Sequence, residues 1–494
     1  MADASGVTSS AAAAPRSPVR EALQRLTGES LIYGLGQMSG RAVNLLLVPV
    51  LTRWLVPQAY GVSDLVLAYS QTALLVLVFG MDGALARLFY DEPDREARIR
   101  MVSTSLAFRL VTGTATALLL ALVVVPLASP LLAGEAYRKY LTIGALTLPF
   151  TLLTLFANDV LRVTFQPWKF IALNLAQTVL VGGLTLGLVV GRGLGVAGVL
   201  YGKLGGDAAT AILGLILCRH TLRPGFSRET LARMLRYGLP LVPVAFAYGL
   251  ITAVDRFFLQ RTRSLDEVAV YAVAMKFFAL ATMGVAAFQL AFGPFAFARA
   301  RSPEAPRLFS RVFSLYVAVA SLGALLISAF APEIVRLLAP STYQAAEAPA
   351  LWLTFAAVAQ GAYYVAALGI GLSLRTGLLG WTAGGAALIA TAANAMLTPA
   401  LGPPGAALAT FLGYVTSAAL AYVVSQRVHP LPYRGGRLVA MFVLAIVLAL
   451  ATRVLAPAGW PGVGVRLGAA IVYVALVLGL RLWRDPQGRS GTAA

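Results

Sequence analysis

The sequence predicts an all-α polytopic membrane protein with about fourteen transmembrane helices, and three observations carry that prediction. Of 494 residues, 59% are hydrophobic and only 12% are charged, whereas about a quarter of an average soluble domain is charged. Apolar runs of about twenty residues, the length that a hydrocarbon core of about 30 Å requires, recur along the whole chain. A short pattern near residue 31 returns near residue 235. An ordinary soluble enzyme is excluded.

Taken in order, the first 28 residues are rich in Ala, Ser and Pro. No apolar segment precedes Ala11–Ala14, so they read as a disordered tail and not as a cleaved signal peptide. Spans follow near 30–52, 62–81, 103–126, 141–161, 170–191 and 196–218. A basic amphipathic stretch, 219–236, contains Phe226, Leu231, Met234 and Leu235 and is expected on the membrane surface. Further spans are expected near 237–260, 269–293, 313–331, 349–372, 378–398, 404–425, 437–456 and 463–482, with a tail over 483–494.

Basic residues are retained on the cytoplasmic side of a membrane. With the N-terminus inside, the inner segments hold 25 Lys and Arg and the outer segments 9. That asymmetry places both termini in the cytoplasm and accounts for most of the net charge of +19 without nucleic acid.

The repeat divides the chain. Leu31-Ile32-Tyr33-Gly34-Leu35 matches Leu235-Arg236-Tyr237-Gly238-Leu239, and Thr52-Arg53-Trp54-Leu55 matches Asp255-Arg256-Phe257-Phe258. Two six-helix lobes in pseudo-twofold repeat are expected, an N-terminal lobe over 29–218 and a C-terminal lobe over 237–425. Two additional transmembrane helices occupy 426–482. Two lobes that enter from the same side and flank a cavity form the plan of a transporter.

The chemistry available is narrow. One cysteine, Cys218, and two histidines, His220 and His429, build neither a disulfide framework nor a His/Cys metal site. No GxxxxGK[ST], HExxH or GxSxG occurs. No catalytic residue, metal or cofactor is expected. Function must rest on ionisable residues inside the spans, which cost about 2.5–3.5 kcal/mol each on insertion scales and persist where they face a partner or a wet cavity.

Arg41 lies about eleven residues into the first span, roughly 16 Å deep. Gln37 and Asn44 stand at i−4 and i+3, making one polar stripe. Either the stripe faces a cavity or Arg41 pairs with an Asp on a neighbouring helix. Toward the outer leaflet lie Asp64, Lys203, Asp207, Asp255, Arg256 and Lys276. Lys203 and Asp207, at i,i+4, can neutralise each other. Asp255 reads either as a gate or ion-coupling residue or as a helix-end charge at interfacial water. Lys276 is buried but within snorkelling reach, and Arg109 is expected to snorkel to the inner surface. Asp159 and Arg162 suit an i,i+3 pair, and Pro240 and Pro243 mark the helix most apt to bend.

The segments Tyr33–Gln37, Val48–Val62 and Gly80–Arg87, with Tyr237–Pro240, Asp255–Leu259 and Val270–Lys276, resemble Wzx-type polysaccharide flippases of the multidrug/oligosaccharidyl-lipid/polysaccharide (MOP) exporter superfamily. The resemblance runs from about 29 to 482. It implies alternating access about a cationic cavity and translocation of an undecaprenyl-diphosphate-linked oligosaccharide to the outer leaflet of a bacterial inner membrane. Arg41, Gln37, Asn44, Lys276 and Arg256 would then bind substrate, while Asp64, Asp255, Lys203 and Asp207 serve ion coupling or gating. Partners implied are membrane lipid, a polysaccharide polymerase and glycosyltransferases. A multidrug cation antiporter of the same superfamily and a non-transporting scaffold of a glycan-synthesis complex are the alternative readings.

Overall fold

The computed structural model describes residues 45–127, 137–299, 302–373, 375, 377–457 and 460–480. Gln37, Arg41 and Asn44, the remainder of the first expected span and both tails lie outside the described residues. Among those described there is no strand, as a lipid-facing backbone must satisfy its own hydrogen bonds.

Among the described residues, thirteen helices are long and apolar enough to cross a membrane. The apolar helix α1 (Leu45–Trp54) is the end of the first expected span. The first half continues with α2 (Pro57–Leu77), α3 (Met81–Asp91), α4 (Arg95–Leu119), α5 (Arg138–Val163), α6 (Pro167–Leu186) and α7 (Gly195–Cys218). After α8 (Arg228–Gly238), the second half comprises α9 (Val242–Thr262), α10 (Leu265–Arg299), α11 (Ala305–Ala329), α12 (Ala331–Leu338), α13 (Glu347–Ala366), α14 (Leu368–Leu372), α15 (Gly377–Leu401) and α16 (Pro403–Val428). Helices α17 (Gly435–Leu455) and α18 (Trp460–Gly479) close the described chain.

Local chemistry sets these limits. Proline stands in the first turn of α2, α6 and α16, where its missing N–H would be unpaired anyway. The Asp94 carboxylate accepts from the Glu96 and Ala97 N–H groups at 3.2 and 3.0 Å and starts α4. Ser227 caps α8 through the Thr230 N–H at 3.2 Å. Pro240 lies inside a single 3₁₀ turn, Leu239–Leu241, that joins α8 to α9.

Each half packs on itself. In the first half α5 and α6 lie on α7 and α4 lies on α5; in the second, α13 and α15 pack on α16 and α9 on α15. The halves meet where α2 lies against α9 and α10. Helix α17 packs on α11, with α18 against both. Leu122, Val447 and Ile471 are among the apolar side chains left outward, as expected of surface that faces lipid tails.

The interface is close at both ends. At one end a Cβ on Gly61 would stand 2.4 Å from the Leu265 carbonyl oxygen. There Thr52 donates to the Leu338 carbonyl at 3.1 Å, Tyr69 donates to Gln260 at 2.7 Å, and the rings of Tyr60 and Tyr343 meet edge-on at 6.0 Å. At the other end, that of α8, the chain leaves α2 through Phe79 and Gly80, both at positive φ, and touches the end of α8. A Cβ on Gly80 would be 2.3 Å from the Gly238 oxygen, and one on Gly238 would be 2.4 Å from the Phe79 oxygen. Gly80 thus meets two demands that only glycine meets, a left-handed φ and backbone contact across the halves. Ion pairs Arg233–Glu92 at 3.0 Å and Arg223–Glu96 at 2.7 Å hold α8 and its lead-in beside α3 and α4.

This contact predicts a conformational phenotype. With the buried Cys218 replaced by Ser, cysteines introduced by Gly83→Cys and Leu241→Cys should cross-link readily, since a Cβ on Gly83 would lie 3.3 Å from Leu241 Cδ1. Adding Gly238→Ala should lower the cross-linking rate several-fold, because the methyl group cannot fit the closed contact. An unchanged rate would show that the inner contact does not depend on backbone approach.

Candidate functional site

Between the halves, α1, α2, α6, α7, α9 and α10 enclose a cavity of about 710 Å³. It brings together Asp64, Lys203, Asp207, Arg256 and Lys276, five of the residues singled out in the sequence. A second space of about 420 Å³ joins it at Lys276 and is lined by Leu45, Met283, Gln289, Gln360 and Tyr364. Lys276 therefore stands where the two spaces meet.

The central charge group spans the two halves. Arg256, 6% exposed, directs Nε to Asp64 Oδ2 of α2 at 3.4 Å and Nη1 to both oxygens of its neighbour Asp255 at 3.1 Å. Nη1 also donates to the Thr252 carbonyl at 2.7 Å, and the guanidinium lies 5.2 Å from the centre of the Tyr271 ring. Asp255 is fully buried. It accepts from the Tyr271 hydroxyl, from Thr410 at 3.3 Å and from the Arg256 N–H at 2.7 Å. Asp255 therefore lies behind the cavity wall and not at interfacial water, because Arg256 covers it.

Lys203 and Asp207 form the i,i+4 pair that their spacing allows, at 2.6 Å. The buried Asp207 also accepts from Thr151 at 2.6 Å and Gln177 at 3.0 Å. Its carboxylate is fully engaged within the first half. Lys276 is different: among the described residues it has neither an ion pair nor a hydrogen bond. Asp64 and Arg256 are the charges acting on it. Of the three cations that line the cavity among the described residues, it is the one without a polar partner.

Arg109 corrects an expectation. It does not snorkel but is fully buried, donating to Asp159 at 2.8 Å with Phe156 beneath it at 5.8 Å. Arg162 reaches the other Asp159 oxygen at 2.8 Å. The carboxylate lies on the neighbouring α5, so neutralising Arg109 in place is available without extending it to the surface. Asp159, Arg162, Asn158 and Asp82 line a smaller cavity of about 340 Å³ on the inner side, which shares Asn174 and Gln177 with the central one.

The sequence reading missed the polar face of α6. Asn174, Gln177, Thr178 and Thr185 all line the central cavity. Their spacing of i, i+3, i+4 and i+11 puts them on one helix face, a signal present in the sequence but carried by uncharged residues. Gln71 and Thr72 on α2 and Gln360 on α13 escaped for the same reason.

Removing one partner of a buried ion pair leaves an uncompensated charge, at a cost of about 3–5 kcal/mol. Arg256→Gln should therefore lower thermal stability in detergent sharply by exposing Asp255 to an apolar surround. The double variant Arg256→Gln/Asp255→Asn should recover more than half of that loss. Equal loss in the single and double variants would contradict charge pairing as the origin.

A model of the family described as polysaccharide biosynthesis protein matches residues 50–348. No curated protein matches the chain. The structure is similar to the lipid II flippase MurJ in an inward closed conformation, with a TM-score of 0.70 and 12% identity over 91% of this chain and 100% of that one. It is similar to the Vibrio cholerae MATE transporter VcmN, with a TM-score of 0.58 and 16% identity over 82% and 96%. An inward-facing multidrug resistance MATE family transporter of the MOP superfamily gives 0.57 and 16% over 82% and 94%. The matched segment runs from the end of the first span through the first half, the amphipathic helix and the charge group of α9 and α10. The chain belongs to the polysaccharide biosynthesis protein family, on an all-helical fold like that of MurJ and the MATE transporters.

Proposed function

We propose that this protein is a flippase that carries an undecaprenyl-diphosphate-linked oligosaccharide from the cytoplasmic to the outer leaflet of a bacterial inner membrane by alternating access. Lys276 carries the reading. An ammonium group without an ionic partner, facing a cavity inside a low-dielectric slab, calls for an anion, and a lipid diphosphate supplies one that belongs in the membrane. Arg256 is held by Asp64 and Asp255, so its contribution is to the field around the site. Arg41, in the polar stripe with Gln37 and Asn44 that the sequence places in the first span, is a further candidate phosphate binder on the same reading, since a planar guanidinium can grip two phosphate oxygens.

The glycan needs a wet, hydrogen-bonding path while the prenyl tail stays in lipid. The amide and hydroxyl face of α6, with Gln71, Thr72, Gln289 and Gln360, is suited to sugar hydroxyls. Asp64 is the carboxylate placed to sense a coupling ion, since it lines the cavity and holds Arg256 across the interface. Protonation of Asp64 would loosen that tie and free the halves to rock. Both termini are placed in the cytoplasm by the distribution of basic residues. Glycosyltransferases supply the substrate on that side and a polymerase consumes it on the other.

The test is surface polysaccharide output in a deletion strain complemented by variants. Lys276→Gln and Arg41→Ala should each lower output at least tenfold at normal protein levels, which corresponds to about 1.4 kcal/mol or more of lost anion stabilisation. Normal output from both would remove the assigned role. Drug efflux that depends on Asp64 or Asp255, with no glycan phenotype, would favour the antiporter reading.

A further inference from the structure

Far from the central cavity, where the second half meets the two final helices, three guanidinium groups converge. The end of α11, helix α12, the start of α13 and the end of α17 enclose a space of about 260 Å³ lined by Arg336, Arg453 and Arg466, with Ser328, Gln344 and Glu347. These elements lie at the ends of spans that point away from α8, hence on the outer face. Arg466 is 3% exposed. Its Nη1 binds Glu333 at 2.6 Å, and its guanidinium lies 5.6 Å from the Phe330 ring. Arg453 donates to the carbonyls of Glu347 and Ala348, the latter at 3.3 Å.

Those bonds explain why α17 and α18 stay attached to the second half, but they leave three groups unexplained. Arg336, exposed on α12, has no hydrogen bond or carboxylate partner among the described residues. The Ser328 hydroxyl, 1% exposed, lines the space and has no hydrogen-bond partner. One Glu333 oxygen is likewise unpartnered. The three arginines outnumber the two carboxylates, Glu333 and Glu347, and a buried hydroxyl without a partner is seldom left so. We infer that this pocket binds a phosphate group, held by Arg336 and Arg453 and met by the Ser328 hydroxyl.

A phosphate accepts several charge-assisted bonds at once, and arginine matches its geometry. The volume leaves room for bridging water, at about 30 Å³ for each molecule. The surroundings point to a lipid headgroup as the source. Leu337, Val454 and Leu455, beside Arg336 and Arg453, are all more than two-thirds exposed, as side chains against acyl chains would be. The pocket then pins an outer-leaflet anionic lipid at the joint between the second half and the final helix pair. This site is independent of the transported substrate, so it stands or falls apart from the flippase reading.

The experiment uses the full chain purified in detergent, with phosphatidylglycerol or phosphatidylcholine added and retained lipid read by native mass spectrometry. Thermal shift with inorganic phosphate is measured in parallel. Arg336→Ala removes a side chain with no structural bond and should lower phosphatidylglycerol retention about tenfold, the scale of one charged hydrogen bond, while Arg336→Lys keeps most of it. Arg192→Ala, a neutralised exposed arginine at another outer turn, should change nothing. If phosphatidylglycerol is indifferent but inorganic phosphate raises the Tm of the wild type and not of Arg336→Ala, the phosphate site stands with free phosphate as its source. If neither readout responds to Arg336→Ala, or Arg192→Ala has the same effect, the proposal is overturned.

Discussion

A guanidinium at membrane depth must be neutralised where it stands, and Arg256 is neutralised from both halves at once. Asp255 belongs to its own helix, but Asp64 comes from α2 of the first half. Moving the halves apart therefore strips a buried cation of one of its two carboxylates. In a medium where each ion costs several kcal/mol to desolvate, that requirement gives the interface between α2 and α9 a preferred register. Tyr271 and Thr410 lock Asp255 from behind, so the charge group is rigid on the second half and releasable on the first.

The close contacts around this group are uneven. The outer end is sealed by side chains of α1 and α2 on α9, α12 and the turn carrying Tyr343, together with the approach of Gly61 to α10. The inner end meets through backbone at Gly80 and Gly238, with ion pairs from α8 alongside. Contacts between backbone and backbone have little give, because the interior is close-packed. They suit elements that dock or part as bodies. On the proposed reading, the cavity lined by Lys276 between two such ends would hold an anionic headgroup while either end opens, with the lipid tail left against the exposed apolar helices.

Much of the fold was legible because the bilayer imposes it. Length and hydropathy alone marked the spans. The proline pair marks the joint between α8 and α9, where Pro240 lies in a 3₁₀ turn. The site was legible in part. Lys203, Asp207, Asp64, Arg256 and Lys276 announced themselves by charge in apolar runs and do come together. What the sequence concealed was direction. Asp255 and Arg256 are adjacent, yet one faces the protein and the other the cavity. Arg109 is within snorkelling reach of the surface by sequence, but Asp159, fifty residues away, pairs with it in the interior. The amides of α6 carry no charge to flag them, so only their helical spacing marks them as one face.

The proposed function requires that the cavity accept a lipid through its phosphate charge and move it across the bilayer. The direct measurement is in proteoliposomes made with the purified protein. A fluorescent prenyl-diphosphate disaccharide and an uncharged prenyl disaccharide of the same length are compared by their accessibility to a membrane-impermeant quencher. The account predicts protein-dependent exchange of the diphosphate between leaflets and little or none of the neutral lipid. Equal movement of both, or of neither, would contradict it.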